Sequence, residues 1–214
     1  GYQALTTETL GDRSVAVGNF ALALQNNTSN NDIYNTAVGF SAGGAISTGV
    51  QNTIVGGLAG DAITIGRFNT ALGFNSLSAN ILTDRNTALG YGTLASLVGD
   101  GSTNNQTTYN VAVGHNAGNL MTTGIRNTIM GGLAGDALTT GTRNVAIGFQ
   151  ALSAEDAHGY NVAIGNGALQ AQNAGADAYN TAVGYSAGSA ITTAVENTIV
   201  GGQAGDAITT GGYN

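Results

Sequence analysis

The chain contains no cysteine, no proline and no tryptophan, and only 8% of its 214 residues are charged. The absence of cysteine excludes disulfide stapling, and the absence of proline leaves backbone hydrogen-bond ladders uninterrupted. Aromatic residues make up only 6% of the chain, so large side chains are too few to fill the core of a compact domain of this length. These absences argue against an ordinary mixed globule.

Basic residues and long apolar runs are scarce as well. The net charge of −7 argues against a nucleic-acid partner, which needs a basic surface. No apolar run approaches the length of a membrane span, so we expect no membrane insertion. The chain begins and ends inside a repeat, and we expect residues 1–214 to be a single repeat array cut from a longer fibre.

Glycine, in contrast, is abundant, with 35 residues, and a five-residue phrase recurs along the chain. The phrase reads Asn or Ser, Thr or Val, Ala or Ile, an aliphatic residue, and Gly. Successive copies are 21, 17, 17, 17, 24, 17, 17, 17, 19 and 17 residues apart, and a fixed period near 17 is typical of a solenoid. The copies begin at Ser14, Asn35, Asn52, Asn69, Asn86, Asn110, Asn127, Asn144, Asn161, Asn180 and Asn197.

A second level of organisation groups the units in fours. We number each unit from its Asn or Ser as position 1. Position 9 is Gly in the first two units of each four and Leu in the other two, and the long spacings recur at every fourth unit. Four-coil superrepeats therefore lie near 35–109 and 110–179, with partial ones at 1–34 and 180–214.

The phrase predicts a β-strand, because its residues alternate in character and β-branched side chains suit a pleated surface. The Gly at position 5 permits a corner, and a second short strand is predicted at positions 11–14. The fold class is therefore all-β, a β-solenoid or β-roll of about twelve 17-residue coils, each strand pairing with its copy about 4.8 Å away. The asparagines at position 1 are predicted to form a structural ladder along the stack.

One internal covariation suggests how the coils pack. Position 3 is Ile in the second unit of each superrepeat, as at Ile54 and Ile129, where position 6 is Gly. In other units position 3 is Ala and position 6 is usually large, as at Phe40 and Phe149. Since interiors are close-packed, we hypothesise that positions 3 and 6 fill one space.

Such a coil is thin, with an interior of mainly Ala, Val, Ile and Leu. One slender solenoid buries little apolar surface, whereas three packed side by side bury a further face. The geometry predicts a parallel homotrimer.

The repeats "NTAVGFSAGGAISTGVQ", "GYQAL" and "NVAIGFQAL" resemble the Gly-Asn-Ala repeats of bacteriophage tail-fibre proteins and the head repeats of trimeric autotransporter adhesins. The resemblance covers nearly the whole chain, and the 17-residue period is closer to the tail-fibre arrays. It implies an elongated, trimeric, left-handed β-roll that displays binding sites for a cell surface.

The segment "GGLAGD" is compared with two binding motifs. Its Asp matches the calcium-binding nonapeptide at Asp61, Asp136 and Asp206, but its copies are not consecutive, as a calcium roll requires. No Lys follows as in a phosphate loop. We expect no metal and no cofactor, and an Asp that bonds local backbone N–H groups.

Two other function classes remain as alternatives. An ice-binding solenoid is suggested by adjacent threonines at positions 13 and 14, such as Thr139 and Thr140. A trimeric solenoid enzyme would resemble hexapeptide acyltransferases, although the period of 17 does not fit sixfold repeats. His115 and His158 occupy different repeat positions with no fixed acidic partner visible, so we expect no catalytic residues and no enzyme.

The insertions in the fourth units are the most site-like feature. They lie at 25–34, 100–109 and 170–179, are rich in polar residues, and in repeat proteins such loops often share the binding face. Asn and Gln side chains suit sugar hydroxyls. The predicted receptor contacts, to a cell-surface glycan or protein, are Asn26, Asn27, Asn30, Asn31, Asn104, Asn105, Gln106, Gln172 and Asn173.

These features together predict a structural and adhesive fibre segment. It would be the shaft or receptor-binding region of a phage tail fibre on the virion, or of an extracellular bacterial adhesin that serves host cell attachment.

Overall fold

The computed structural model describes residues 1–27, 32–102 and 104–214, which form two compact units, Gly1–Tyr109 and Asn110–Asn214. The boundary between the units falls where the second full superrepeat begins. Among the described residues every regular element is a short strand, and no helix has the length and apolarity that a membrane crossing needs.

The first unit contains a parallel sheet with one strand for each coil. The strands of this sheet pair in the order β1-β2-β3-β4-β6, and β5 pairs with β7 in a separate two-stranded sheet. The bounds are β1 (Val15–Val17), β2 (Thr36–Val38), β3 (Thr53–Val55), β4 (Thr70–Leu72), β5 (Thr83–Asp84), β6 (Thr87–Leu89) and β7 (Gln106–Thr107).

The second unit repeats the same architecture, with strands paired in chain order. Equivalent residues face each other across neighbouring coils, so that Ile129 pairs with both Ala112 and Ala146. The bounds are β8 (Val111–Val113), β9 (Thr128–Met130), β10 (Val145–Ile147), β11 (Val162–Ile164), β12 (Thr181–Val183) and β13 (Thr198–Val200).

The prediction of an all-β, parallel solenoid with about 17 residues per coil is confirmed. The coils number about eleven rather than twelve. Residues 1–13 correspond to positions 5–17 of a coil, and this partial coil contains no strand.

The predicted second strand at positions 11–14 is wrong. This stretch is built of turns and bends, because several of its N–H groups converge on one carbonyl instead of forming a ladder. The N–H groups of Thr122, Thr123 and Gly124 all donate to Thr139 O, at 2.8, 3.2 and 3.3 Å. A backbone that aims successive N–H groups at one acceptor must curve, so the segment closes the coil.

The corners depend on positive φ angles at repeated positions. In the coil that begins at Asn144, Gln150, Leu152 and Tyr160 have φ of 54°, 53° and 65°. Gly148, at position 5, has φ of 133°, and a β-carbon there would lie 2.4 Å from Gly165 O in the next coil. Only glycine satisfies both the backbone angle and the close stacking.

The core contains the side chains of positions 3, 8, 9 and 12. Position 3 points inward and is buried, whereas positions 2 and 4 point outward. The aliphatic residues of position 4 are therefore outside the coil, contrary to the expected Val-containing interior: Met130 is 46% exposed and Val200 71%.

The hypothesis that positions 3 and 6 fill one space is also wrong, because position 3 is buried inside the coil and the large residues of position 6 are outside it. Phe40 and Phe149 are exposed at position 6, whereas Ile54 is buried at position 3. Ile54 instead fills space beside the glycines of position 9, since β-carbons added at Gly43 and Gly60 would each lie 3.1 Å from Ile54 Cδ1. Ile at position 3 thus replaces the buried Leu that other coils carry at position 9.

We expect Ile129→Asn to destabilise the fold strongly. Ile129 is fully buried, so the substitution removes core volume and buries an unpaired amide. The expected loss is about 2–5 kcal/mol per chain in the free energy of unfolding, measured by urea denaturation. Thr140→Asn, at an exposed position, is the control. If the two variants unfolded at the same urea concentration, the side chain at position 3 would not point into the coil.

Candidate functional site

The asparagines at position 1 form a buried column of hydrogen bonds in each unit. Each side-chain oxygen accepts the main-chain N–H of the next asparagine, as Asn127 Oδ1 does from Asn144 N at 2.9 Å. In the regular coils the side-chain nitrogen donates to the carbonyl of position 15, as Asn127 Nδ2 does to Gly141 O at 2.8 Å. The column satisfies backbone groups that water cannot reach. Its buried members are Asn35, Asn52, Asn69, Asn86, Asn110, Asn127, Asn144, Asn161, Asn180 and Asn197.

The insertions are connected to this column by side-chain hydrogen bonds. Gln25 Oε1 accepts from Asn35 Nδ2 at 2.9 Å, and Gln172 Oε1 accepts from Asn180 Nδ2 at 2.8 Å. In the longest insertion, Thr108 is buried and its hydroxyl donates to Asn86 Oδ1 at 2.7 Å. The insertions therefore contribute to the column as well as to the surface.

Three of the predicted receptor contacts are at the surface. Asn26, Asn104 and Asn173 are exposed, one in each insertion. Asn26 Oδ1 accepts a hydrogen bond from the Thr9 hydroxyl at 3.2 Å.

Other predicted contacts have structural partners instead. Asn27 and Gln172 are buried, which removes their side chains from the surface. Asn105 is half-buried and donates to Ile65 O at 3.0 Å, and Gln106 lies in β7 and accepts from Asp100 N at 2.8 Å. Asn30 and Asn31 lie outside the described residues.

Asn27 takes part in a network around Glu8. Burial acts to raise the pKa of Glu8, but hydrogen bonds from Gly11 N, Gln25 Nε2 and Asn27 Nδ2 lower it to about 2. The first insertion is thus fixed to the preceding coil by an ionised carboxylate.

The outer strand face, defined here as the side chains of positions 2, 4 and 6, carries no Asp, Glu or Arg. Position 2 is Thr or Val, position 4 is an aliphatic residue or Met, and position 6 varies between aromatic, polar and Gly residues. All twelve acidic residues and all five arginines occur after position 9 of their units. Position 4 presents exposed Val, Leu or Met side chains, such as Leu72 and Met130, and position 6 presents aromatic rings such as Phe149. Phe74 and Tyr91 stack at 5.6 Å between ring centroids. Sequence reasoning missed this face, although the distribution of charge along the repeat reveals it.

The arginines are concentrated at the last two positions of the coil, beside exposed aromatic rings. Arg85 lies over Phe68 at 4.9 Å and over Tyr109 at 5.7 Å from the ring centroids. Arg143 lies over Tyr160 at 5.2 Å. Cation–π contacts of this kind stabilise neighbouring coils by about 0.5–1 kcal/mol each.

Asp61 and Asp136, the Asp residues of the two "GGLAGD" segments, are half-buried. The two residues lie in different units. Burial raises the pKa of each carboxyl, and hydrogen bonds from local backbone N–H groups lower it by a smaller amount. One carboxylate oxygen of each is buried without a hydrogen-bond partner. The three-residue clusters of potential metal ligands within the described ranges include neither of them.

His158 does have an acidic partner, contrary to the expectation from its repeat position. Its Nδ1 lies 3.4 Å from Glu155 Oε1, and Glu155 is fully buried. Asp156 completes a cluster in which one ligand atom of each residue lies within 4.8 Å of the others. The sequence signal was the segment "EDAH", in which a carboxylate precedes the histidine by three residues.

Two features of the structure bear on the alternative functions. The hydroxyls of Thr122, Thr139 and Thr192 donate to carbonyls of the next coil at 3.2, 2.8 and 3.2 Å, so they do not present a free array to ice. A surface groove in the first unit has Asp61 as its one titratable lining residue, and therefore lacks an acid–base pair.

Comparison of the chain with protein-family models, curated proteins and solved structures finds no match.

Proposed function

We propose that the chain is a structural and adhesive segment of a fibre, the shaft of a phage tail fibre or of a bacterial surface adhesin. It assembles as a parallel, left-handed homotrimer, as the resemblance of its repeats implies. The observation that carries the proposal is the outer strand face, a surface without Asp, Glu or Arg whose position 4 is an aliphatic residue or Met in every coil of both units.

The partner of this face is the same face of two further copies of the chain. In a parallel homotrimer, identical residues of the three chains meet at the same level. A charged residue on such a surface would repel its own copies and lose its hydration. The absence of Asp, Glu and Arg from positions 2, 4 and 6 supports such a contact, and exposed apolar patches typically mark protein contacts.

The insertions supply the adhesive part of the proposal. Asn26, Asn104 and Asn173 present amides to solvent, and amides can both donate to and accept from sugar hydroxyls. A trimer displays each loop three times, so weak contacts to a cell-surface glycan or protein gain from avidity. The stacked coils hold these loops in fixed positions.

Sedimentation equilibrium on the chain tests the assembly, with an expected mass of three chains. A well-folded single chain at micromolar concentration would exclude the proposed fibre trimer.

The combined variant Asn26→Ala, Asn104→Ala and Asn173→Ala tests the adhesive role. These side chains are exposed, so we expect each substitution to change the free energy of unfolding by no more than about 0.5 kcal/mol. Binding to a panel of whole bacteria and immobilised surface polysaccharides is expected to fall at least tenfold. Thr140→Ala, at an exposed position outside the three insertions, is the control. If the folded triple variant bound as strongly as the parent, these asparagines would not be receptor contacts and the segment would act as a spacer.

A further inference from the structure

The coil that begins at Asn144 contains a side-chain cluster that the fibre architecture does not require. In the third coil of each superrepeat, position 12 is polar and caps the following turn by accepting the N–H of position 15. Glu8 accepts from Gly11 at 2.7 Å, Asn80 accepts from Thr83 at 2.9 Å, and Glu155 accepts from His158 at 3.1 Å. Asn80 shows that a neutral amide suffices for this cap.

Glu155 has more acceptor capacity than the cap uses. At the equivalent Glu8, the second carboxylate oxygen accepts from Gln25 Nε2 at 2.9 Å and from Asn27 Nδ2 at 3.3 Å. The equivalent bond from Gln172 to Glu155 is not made, and Glu155 Oε2 is buried with no partner. A buried carboxylate without a compensating charge is costly, so the site favours a cation.

The neighbours of Glu155 are metal-binding groups. His158 Nδ1 is also buried without a hydrogen-bond partner and lies 3.4 Å from Glu155 Oε1. Two ligands of a tetrahedral Zn²⁺ with bonds of about 2.0–2.1 Å lie about 3.3–3.5 Å apart. The carboxylate of Asp156 is exposed and within 4.8 Å of the other two ligand atoms, so a side-chain rotation brings it to the same ion.

The backbone beneath the cluster is fixed before any ion binds. Asp156 O accepts from Thr139 N at 2.6 Å and from the Thr139 hydroxyl at 2.8 Å. His158 O accepts from Asn144 Nδ2 at 3.0 Å, as part of the asparagine column. Preorganisation of this kind lowers the cost of assembling a site.

We propose that Glu155, Asp156 and His158 bind one Zn²⁺ ion per chain. The two carboxylates and the imidazole supply three ligands and water supplies the fourth, since mixed nitrogen and oxygen ligands suit zinc better than calcium or magnesium. The ion neutralises the buried carboxylate of Glu155 and cross-links it to Asp156 and His158 within one turn.

Isothermal titration of the chelator-treated, dialysed chain with ZnCl₂ tests the proposal. We expect one equivalent of Zn²⁺ per chain, and affinity at least tenfold weaker in His158→Ala and in Glu155→Gln. Glu155→Gln keeps an amide oxygen for the His158 N–H, as at Asn80, so its turn remains capped. His115→Ala is the matched control and is expected to bind zinc like the parent.

Thermal melting provides a second readout, because an ion that binds only the folded chain raises its melting temperature. Zinc is expected to raise the melting temperature of the parent and of His115→Ala, but not that of His158→Ala. Absence of zinc uptake by the parent, or equal uptake by His158→Ala, would overturn the proposal.

Discussion

Lysine in place of Met130 is expected to reduce the assembled particle from three chains to one. Met130 is at position 4 of the outer strand face, where it is 46% exposed in the single chain. In the proposed trimer the substitution places three ammonium groups at one level of an apolar contact. Each loses hydration and repels the others, at an effective cost of several kcal/mol per ion.

Sedimentation equilibrium at micromolar concentration measures this effect. The solenoid itself is expected to remain folded, because the side chain at position 130 points away from the coil interior. Thr140→Lys adds the same charge at an exposed position among the turns, and should leave three chains per particle. A Met130→Lys variant that stays trimeric would show that another surface joins the chains.

Alanine in place of Asn127, a member of the buried column, is expected to destabilise the fold strongly. Asn127 Oδ1 accepts from Asn144 N, and its Nδ2 donates to Gly141 O at 2.8 Å. Truncation leaves both backbone groups buried and unpaired, at about 1–3 kcal/mol for each group. We expect a loss of roughly 2–5 kcal/mol in the free energy of unfolding per chain.

Asn173→Ala is the matched control for this substitution. Asn173 is exposed, so its truncation is expected to change the free energy of unfolding by no more than about 0.5 kcal/mol. Urea denaturation of both variants provides the comparison. Similar midpoints for the two variants would mean that water reaches the column and satisfies its backbone groups.

Much of the fold was predictable because it follows from the period alone. When a phrase recurs every 17 residues, stacking equivalent residues gives parallel strands in register, as Val145 and Val162 show. The bends at positions 11–14 were not predictable, because "LTT" has good β-propensity. There the shared acceptor Thr139 O, rather than propensity, determines the backbone path.

The candidate sites were only partly predictable for a related reason. The insertions were visible as breaks in spacing, but their bonds to the asparagine column were not. Gln25 and Asn35 are ten residues apart, and only the closed coil brings their side chains within 2.9 Å. Similarly, "EDAH" is an ordinary polar segment until the coil buries Glu155 beside His158.

The sequence by itself determined the period, the strand phrase and the superrepeat, since each is a matter of recurrence. Only the tertiary structure decided which face of the strand is inside. In a segment such as "TAV" both faces carry apolar residues, so alternation does not distinguish them. Ala37, Leu22 and Ile46 are buried in the interior, and successive side chains of a strand point to opposite faces. The bulkier Val38 is therefore directed outward, and the coil gains an apolar face that a single chain leaves uncovered.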